Sequence, residues 1–195
     1  MKVLLATHNP AKIASYQEKL SNLGIDFFTL HDLGITIKFE ENKTTFEENA
    51  RDKALFYYNI SKMPTIAEDG GFEIDYLNGE PGVKSRRWLG YEATDEQLVE
   101  KFRQVIPDIP QDQRTARFVA VSCLVKKSDE IYIIRNTKEG YVTDDIRESY
   151  PKGFPFRSCF ISKDFHKHVE DLSDDERQKI SHRLKNLLEL KQYFK

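Results

Sequence analysis

Lys12 and Lys53, with the carboxylates of Glu41, Glu68 and Asp69, are the side chains best suited to phosphate chemistry in this sequence. The run Thr7-His8-Asn9-Pro10-Ala11-Lys12 puts polar groups and a cation where an apolar strand gives way to a helix signal. Backbone N–H groups without intrahelical partners, and the positive end of the helix dipole, favour an anion such as phosphate there. The plain alternative is a capped helix with a surface lysine, and the Gly-rich cradle of a P-loop is missing. Glu40-Glu41 and Glu68-Asp69 add carboxylates, the second pair followed by Gly70-Gly71. Carboxylates gathered at strand ends can hold Mg²⁺ through oxygen while the ion keeps waters and takes substrate phosphates. Taken alone, Glu40-Glu41 reads as a solvated loop, and Asp-Gly-Gly reads equally well as turn chemistry. Lys53 follows Asn49 by one helical turn, so both occupy one face beside an apolar stripe. A lysine at such an edge commonly snorkels to water. Its interest lies in the company of Lys12 and the carboxylates.

Ser181-His182-Arg183, preceded by Arg177, is a third cluster. If one helix runs from Ser173, His182 lies about 175° around the wheel from Ile180, Leu184, Leu187 and Leu188, at ~100° per residue. It should then face solvent or a cleft, with a surface His-Arg pair as the plain alternative. His166 and His168 have strand spacing but no further ligand nearby in sequence, which makes them a weak metal pair.

The elements that must position these groups begin with an apolar strand at 3–6 and a helix capped by Asn9, with Pro10 first and Ile13, Tyr16, Leu20 and Leu23 as its stripe. A second strand is expected at 26–30. Thr45 and Glu48 form a capping box for a helix to about Asn59, with Phe46, Ala50, Ala54 and Tyr57 inward. A third strand at 64–67 should stop at Glu68-Asp69-Gly70-Gly71, and a helix should occupy 94–103. The β-branched runs 115–125 and 130–135, joined by Lys126-Lys127-Ser128-Asp129, read as an antiparallel hairpin. A last helix starts at Ser173, with Glu176, or at Ser181. The fold class is therefore α/β, a mixed sheet flanked by helices in one domain over residues 1–195.

The charge balance, 30 Lys plus Arg against 32 Asp plus Glu for a net charge of -2, speaks against a polyanion binder while leaving room for a small anionic ligand. No apolar run approaches the ~20 residues of a membrane span, and the start MKVLLATHNP turns polar too soon for a signal peptide. The expectation is a cytoplasmic chain without membrane or nucleic-acid partners. Cys123 and Cys159 lie in separate apolar runs and read as reduced, buried thiols.

The ordered set THNPAK, EEN, TTFEENARDKA, AEDGGFEID, PGVKSRRW, RTARFVAVSCL and ISHR resembles the inosine triphosphate pyrophosphatase family from about residue 3 to residue 190. That resemblance implies Mg²⁺-dependent hydrolysis of noncanonical purine nucleoside triphosphates (ITP, dITP, XTP) to the monophosphate and pyrophosphate, an elongated two-lobed fold and a homodimer. It implies that Thr7, Asn9 and Lys12 bind phosphate and that Lys53 belongs to the catalytic set. Glu41 would hold the metal. Asp69 would both hold it and orient or deprotonate the attacking water, with Glu68 where the family commonly has Asp. Arg177, Ser181, His182 and Arg183 would lie at the base end. Oxygen ligands suit Mn²⁺ as well as Mg²⁺.

The departure is at 153–160, Gly-Phe-Pro-Phe-Arg-Ser-Cys-Phe, where the family pattern is Gly-Phe-Gly-Tyr/Trp-Asp-Pro. Phe154 and Phe156 keep aromatic substrate-binding positions, but Pro155 replaces Gly, and Arg157 replaces an Asp that can accept a hydrogen bond from the purine. Arg has donors only and reverses the charge. Arg86, where the family commonly has Ala, adds another donor. The readings left open are unchanged base selectivity, altered base selectivity, and a weakened nucleotide-binding protein that acts as a sensor or partner. Retention of Asp69 argues against the last, since a binder needs no water-activating carboxylate.

Overall fold

The structure is a computed structural model that describes residues 2–22 and 24–194. Leu23 of the expected first stripe lies outside the described residues, as does the Leu20 side chain. Strand β1 (Lys2–Leu5) leads through Thr7 and Asn9 into helix α1 (Pro10–Asn22), with Pro10 at the first helical position. β2 (Asp26–Thr29) pairs parallel with β1, Val3 opposite Phe27. α2 (Phe46–Ser61) starts at Thr45, whose hydroxyl oxygen accepts from the Glu48 amide. Only half of the expected box forms there, because the Glu48 carboxylate takes the Thr45 hydroxyl proton rather than the Thr45 backbone N–H. Phe46, Ala50, Ala54 and Tyr57 are buried, as their spacing requires.

β3 (Thr65–Ile74) pairs parallel with β1, Leu4 opposite Thr65. It does not stop at Glu68 but runs through Gly70-Gly71. Phe-Glu-Ile resumes the strand pattern, and β4 (Pro81–Gly82) pairs antiparallel with it at Phe72 and Glu73. α3 (Asp95–Val105) carries a full capping box between Thr94 and Gln97. β5 (Thr115–Lys127) and β6 (Glu130–Val142) are joined by the two-residue turn Ser128–Asp129, a connection that only an antiparallel pair permits. β7 (Phe160–Ser162) pairs antiparallel with β6. α4 (Asp174–Lys179) and α5 (His182–Leu190) replace the single C-terminal helix that was expected. Both start signals operate, because Ser173 and Glu176 box the first helix and the chain breaks at Ile180-Ser181. The break invalidates the continuous wheel: His182 is 5% exposed, its ring 6.3 Å from that of Phe118, while Leu188 is 51% exposed.

The sheet runs β2-β1-β3-β5-β6-β7, with β4 on β3; β2-β1-β3 are parallel, β3-β4, β5-β6 and β6-β7 are antiparallel, and helices flank it. The chain divides into two compact units, residues 1–69, 120–136 and 183–195 in the first and 70–119 and 137–182 in the second. The first unit's core joins Val3, Leu5 and Ile66 to Tyr16 of α1, Leu124 of β5 and Leu187 and Leu190 of α5. Tyr132 and Tyr193 stack at 3.8 Å on its margin. The second unit packs Phe72 against Phe118, Phe156 and Phe160 at 4.8, 5.2 and 5.7 Å, each such ring contact worth ~0.5–1.5 kcal/mol beyond area burial. Cys123 and Cys159 are free, buried thiols. Among the described residues no helix is long and apolar enough to cross a membrane.

Candidate functional site

In the first unit, Asn9 accepts hydrogen bonds at Oδ1 from the amides of Ala11 (2.9 Å) and Lys12 (3.3 Å), while Thr7 Oγ1 takes the Asn9 amide (3.1 Å). The side-chain cap thus fills two amides that the sequence had offered to an anion. The Lys12 ammonium and the helix dipole are the features of this helix end that still suit an anion. Lys12 Nζ lies 3.3 Å from Glu68 Oε1 and 3.5 Å from the Glu68 carbonyl.

Lys53 does not snorkel: it is only 7% exposed. Its ammonium donates to the Glu68 carbonyl at 2.7 Å and forms a short contact with Glu41. One residue of β3 therefore collects both lysines, with Asp69 next in the chain. Because strand side chains alternate, Glu68 and Asp69 point to opposite faces. Glu68, 2% exposed, turns toward α1 and α5, where Tyr16 Oη donates to Oε2 at 2.6 Å and Arg183 Nε donates to both oxygens. These partners hold its carboxyl well below the usual carboxylate range against the opposing effect of burial. Glu68 thus stands apart from the metal-holding set in which the sequence had grouped it.

Asp69, 5% exposed, turns toward α2, where Asn49 Nδ2 donates to Oδ2 at 3.0 Å. Burial first, then the charge of Glu41, push its carboxyl up to about 6, against the pull of Lys12 and Lys53. Asp69, a buried carboxylate whose proton affinity the neighbouring Glu41 charge raises, forms with Glu41 a hard-oxygen donor pair whose repulsion a divalent cation relieves. Mg²⁺ commonly takes one or two carboxylates and completes its shell with water and substrate phosphates. Glu41 and Asp69, close enough for their charges to interact, fit that two-carboxylate mode; among the described residues no group of three or more His, Cys, Asp or Glu gathers to hold a metal.

The second unit holds Phe154, Phe156, Arg157, Arg177, Ser181 and His182, while Arg183 falls in the first. Phe156 is a core ring, 5.1 Å from Phe102 and stacked on Phe72. Arg157 Nε donates to Glu170 Oε1 at 2.6 Å, and Arg177 lies 3.7 Å from the other Glu170 oxygen while donating to the Leu172 and Glu170 carbonyls. Arg86 contacts Asp95, whose Oδ2 accepts from the Gly153 amide at 2.6 Å. The donors that the sequence left unassigned therefore have carboxylate partners. His168 bonds backbone groups through both ring nitrogens, to Ser158 O and from the Glu170 amide.

Sequence reasoning missed Glu170, the hydroxyl roles of Tyr16 and Tyr57, and Asn186, whose Nδ2 donates to Ser122 Oγ and the Ala120 carbonyl. A signal existed for the tyrosines, since a buried phenol needs a partner for its O–H.

A model of the Ham1 family matches residues 3–193. The chain is 37% identical over 189 residues to the dITP/XTP pyrophosphatase of Bacillus subtilis, covering 97% of this chain and 94% of that protein. It is 34% identical over 193 residues to the dITP/XTP pyrophosphatase of Thermoanaerobacter pseudethanolicus, covering 99% and 96%. A HAM1 protein from Coxiella burnetii superposes with a TM-score of 0.85 at 29% identity, over 99% of this chain and 98% of that one. The Staphylococcus aureus Ham1 protein gives 0.83 at 27% identity, over 99% and 97%.

Proposed function

The chain belongs to the Ham1 family, and on that premise we propose that it hydrolyses noncanonical purine nucleoside triphosphates, dITP and XTP as in its relatives and ITP with them, to the monophosphate and pyrophosphate. The observation that carries this reading is the convergence of Lys12 and Lys53 on Glu68, beside the Asp69 carboxylate that burial and Glu41 push up to about 6. Lys12 and Lys53 offset negative charge on the triphosphate, with Thr7 and Asn9 shaping the turn that presents Lys12. Asn49 orients Asp69, which then accepts a proton from the attacking water. The water oxygen bonds to the α-phosphorus, Asp69 takes the proton, and the bond from that phosphorus to the α,β-bridging oxygen breaks as pyrophosphate leaves. Mg²⁺, or Mn²⁺, held by Glu41 and Asp69 would polarise phosphate oxygens and neutralise charge.

Phe154, Phe156, Arg157, Arg177, Ser181, His182 and Arg183 are assigned to purine recognition by resemblance to the family, with base selectivity altered where Arg157 and Pro155 replace its Asp and Gly. A homodimer rests on the same resemblance, and a cytoplasmic setting on the reading of the sequence given above; sedimentation of the purified chain tests the first and cell fractionation the second. The deciding experiment is pyrophosphate release from ITP, dITP, XTP and the four standard triphosphates with Mg²⁺, comparing wild type with Asp69→Asn. Preference for the noncanonical purines, lost in the variant, is the expected result. Nucleotide binding without turnover of any triphosphate would overturn the proposal.

A further inference from the structure

Glu41 sits in a stretch, 35–43, that has no regular secondary structure, although the proposed chemistry requires its carboxylate to be held in place. Backbone groups without ladder partners must be satisfied by side chains or water. Here α2 supplies them. Tyr57 Oη donates to the Ile37 carbonyl at 3.0 Å and accepts from the Phe39 amide at 3.1 Å. Asn49 Oδ1 accepts from the Lys43 amide at 3.0 Å, while its Nδ2 donates to Asp69. Between the two pins, Lys53 meets Glu41. Asn49, Lys53 and Tyr57 recur at every fourth position of α2, and they take Lys43, Glu41 and then Phe39 with Ile37, about two residues of strap per helical step. The spacings agree, since four helical residues rise about 6 Å and two extended residues about 6.6 Å. His8 Nε2, 3.1 Å from the Ile37 carbonyl, and the Phe39 ring, 5.5 Å from that of Phe56, add to the Tyr57 end.

We propose that Tyr57 is a positioning residue: its hydroxyl and the Asn49 amide lay the 37–43 strap along one face of α2 in the register that sets the Glu41 carboxylate beside Lys53 and Asp69 for a divalent cation. The inference rests on the reading of Glu41 as a metal-holding carboxylate. Tyr57→Phe removes only the hydroxyl and keeps the buried ring.

The test is Mn²⁺ titration of the full chain without nucleotide, followed by the electron-spin signal of the free ion. Amide exchange of 37–43 is read in parallel, with β5 as internal reference. Loss of the pin should speed exchange in 37–43 but not in β5, and weaken Mn²⁺ binding roughly three- to tenfold, the size of one net hydrogen bond. It should also raise the metal concentration needed for half-maximal turnover while kcat at saturating metal stays unchanged. Glu41→Gln should abolish the Mn²⁺ signal change, and Tyr57→Phe should add nothing in that background. Unchanged exchange, or faster exchange with wild-type Mn²⁺ affinity, overturns the inference alone. A wild-type chain that binds no Mn²⁺ and needs no metal for turnover overturns the metal reading, and the inference with it.

Discussion

Arg183 Nε donates to both carboxylate oxygens of Glu68, at 2.9 and 3.1 Å, so a guanidinium from the last helix closes on a carboxylate at the middle of β3. Tyr16 adds its hydroxyl to the same carboxylate and reaches Ser122 at 3.0 Å, from which the network passes to Asn186. Three helix and strand segments distant in sequence are thereby tied to the residue on which Lys12 and Lys53 converge.

Glu68→Gln would leave Arg183 and Lys12 without their buried counter-charge, and removing one partner of such a pair costs about 3–5 kcal/mol. The folded-state carboxyl titrates below its unfolded value, so its contribution is fully present above the ordinary glutamate range and is lost as pH falls through that range toward the depressed value. Urea denaturation should show a large gap between wild type and variant at pH 7 that shrinks in acid. A gap independent of pH would contradict the ionic account.

Asp69 behaves in the opposite sense. Its folded-state carboxyl is raised to about 6, so the metal-free protein loses stability as pH rises from the ordinary aspartate range through that value, and stays lower above it. Asp69→Asn should therefore raise the melting temperature in chelator at pH 8 by removing about 1–3 kcal/mol of cost, and change it little near pH 4. The same substitution should lower kcat by about 10²–10⁴, the usual contribution of a positioned base. Calorimetry at the two pH values, set against pyrophosphate release, separates a strained functional carboxylate from a structural one.

Gly140 faces a different constraint. A Cβ there would stand 2.1 Å from the Ile161 carbonyl oxygen and 2.4 Å from Phe160 Cζ, where β6 meets β7. Backbone cannot yield as a flexible side chain does, so Gly140→Ala should destabilise by about 3 kcal/mol or more through overpacking. A chemical-denaturation midpoint close to wild type would show that β7 shifts freely.

Much of this was legible before the structure. Asn9-Pro10 marked α1, Thr45 marked the start of α2, and the period of Phe46, Ala50, Ala54 and Tyr57 named its buried face, because caps and periodicity are local signals. The strand through Gly70-Gly71 was not, since two glycines read as a turn until the strand is seen to resume beyond them at Phe72 and Glu73, where it pairs with β4. The C-terminal helix was misread for the converse reason. Two start signals eight residues apart were treated as alternatives, and only tertiary packing shows that both operate, which buries His182. At the site, residue types pointed to Lys12, Lys53 and Asp69, but the separation of Glu68 from Asp69 follows from strand alternation once the strand is known to continue. Glu170 was invisible because its importance depends on Arg157, thirteen positions earlier.

Arg157 and Glu170 form a half-buried pair, 2.6 Å between Nε and Oε1, in which a carboxylate lies beside the position where the family pattern has its own. Restoring that pattern by Arg157→Asp should therefore be harmful alone, because it sets two carboxylates together and leaves Arg177, at 3.7 Å from Glu170, to offset them. A cost of about 1–3 kcal/mol is expected, larger than for Arg157→Ala, and Glu170→Gln in the Arg157→Asp background should recover most of it. The base panel then separates structure from recognition. If the pair sets selectivity, the ratio of kcat/KM for XTP over ITP changes in the doubly substituted chain even though stability has returned; an unchanged ratio would assign Arg157 to packing alone.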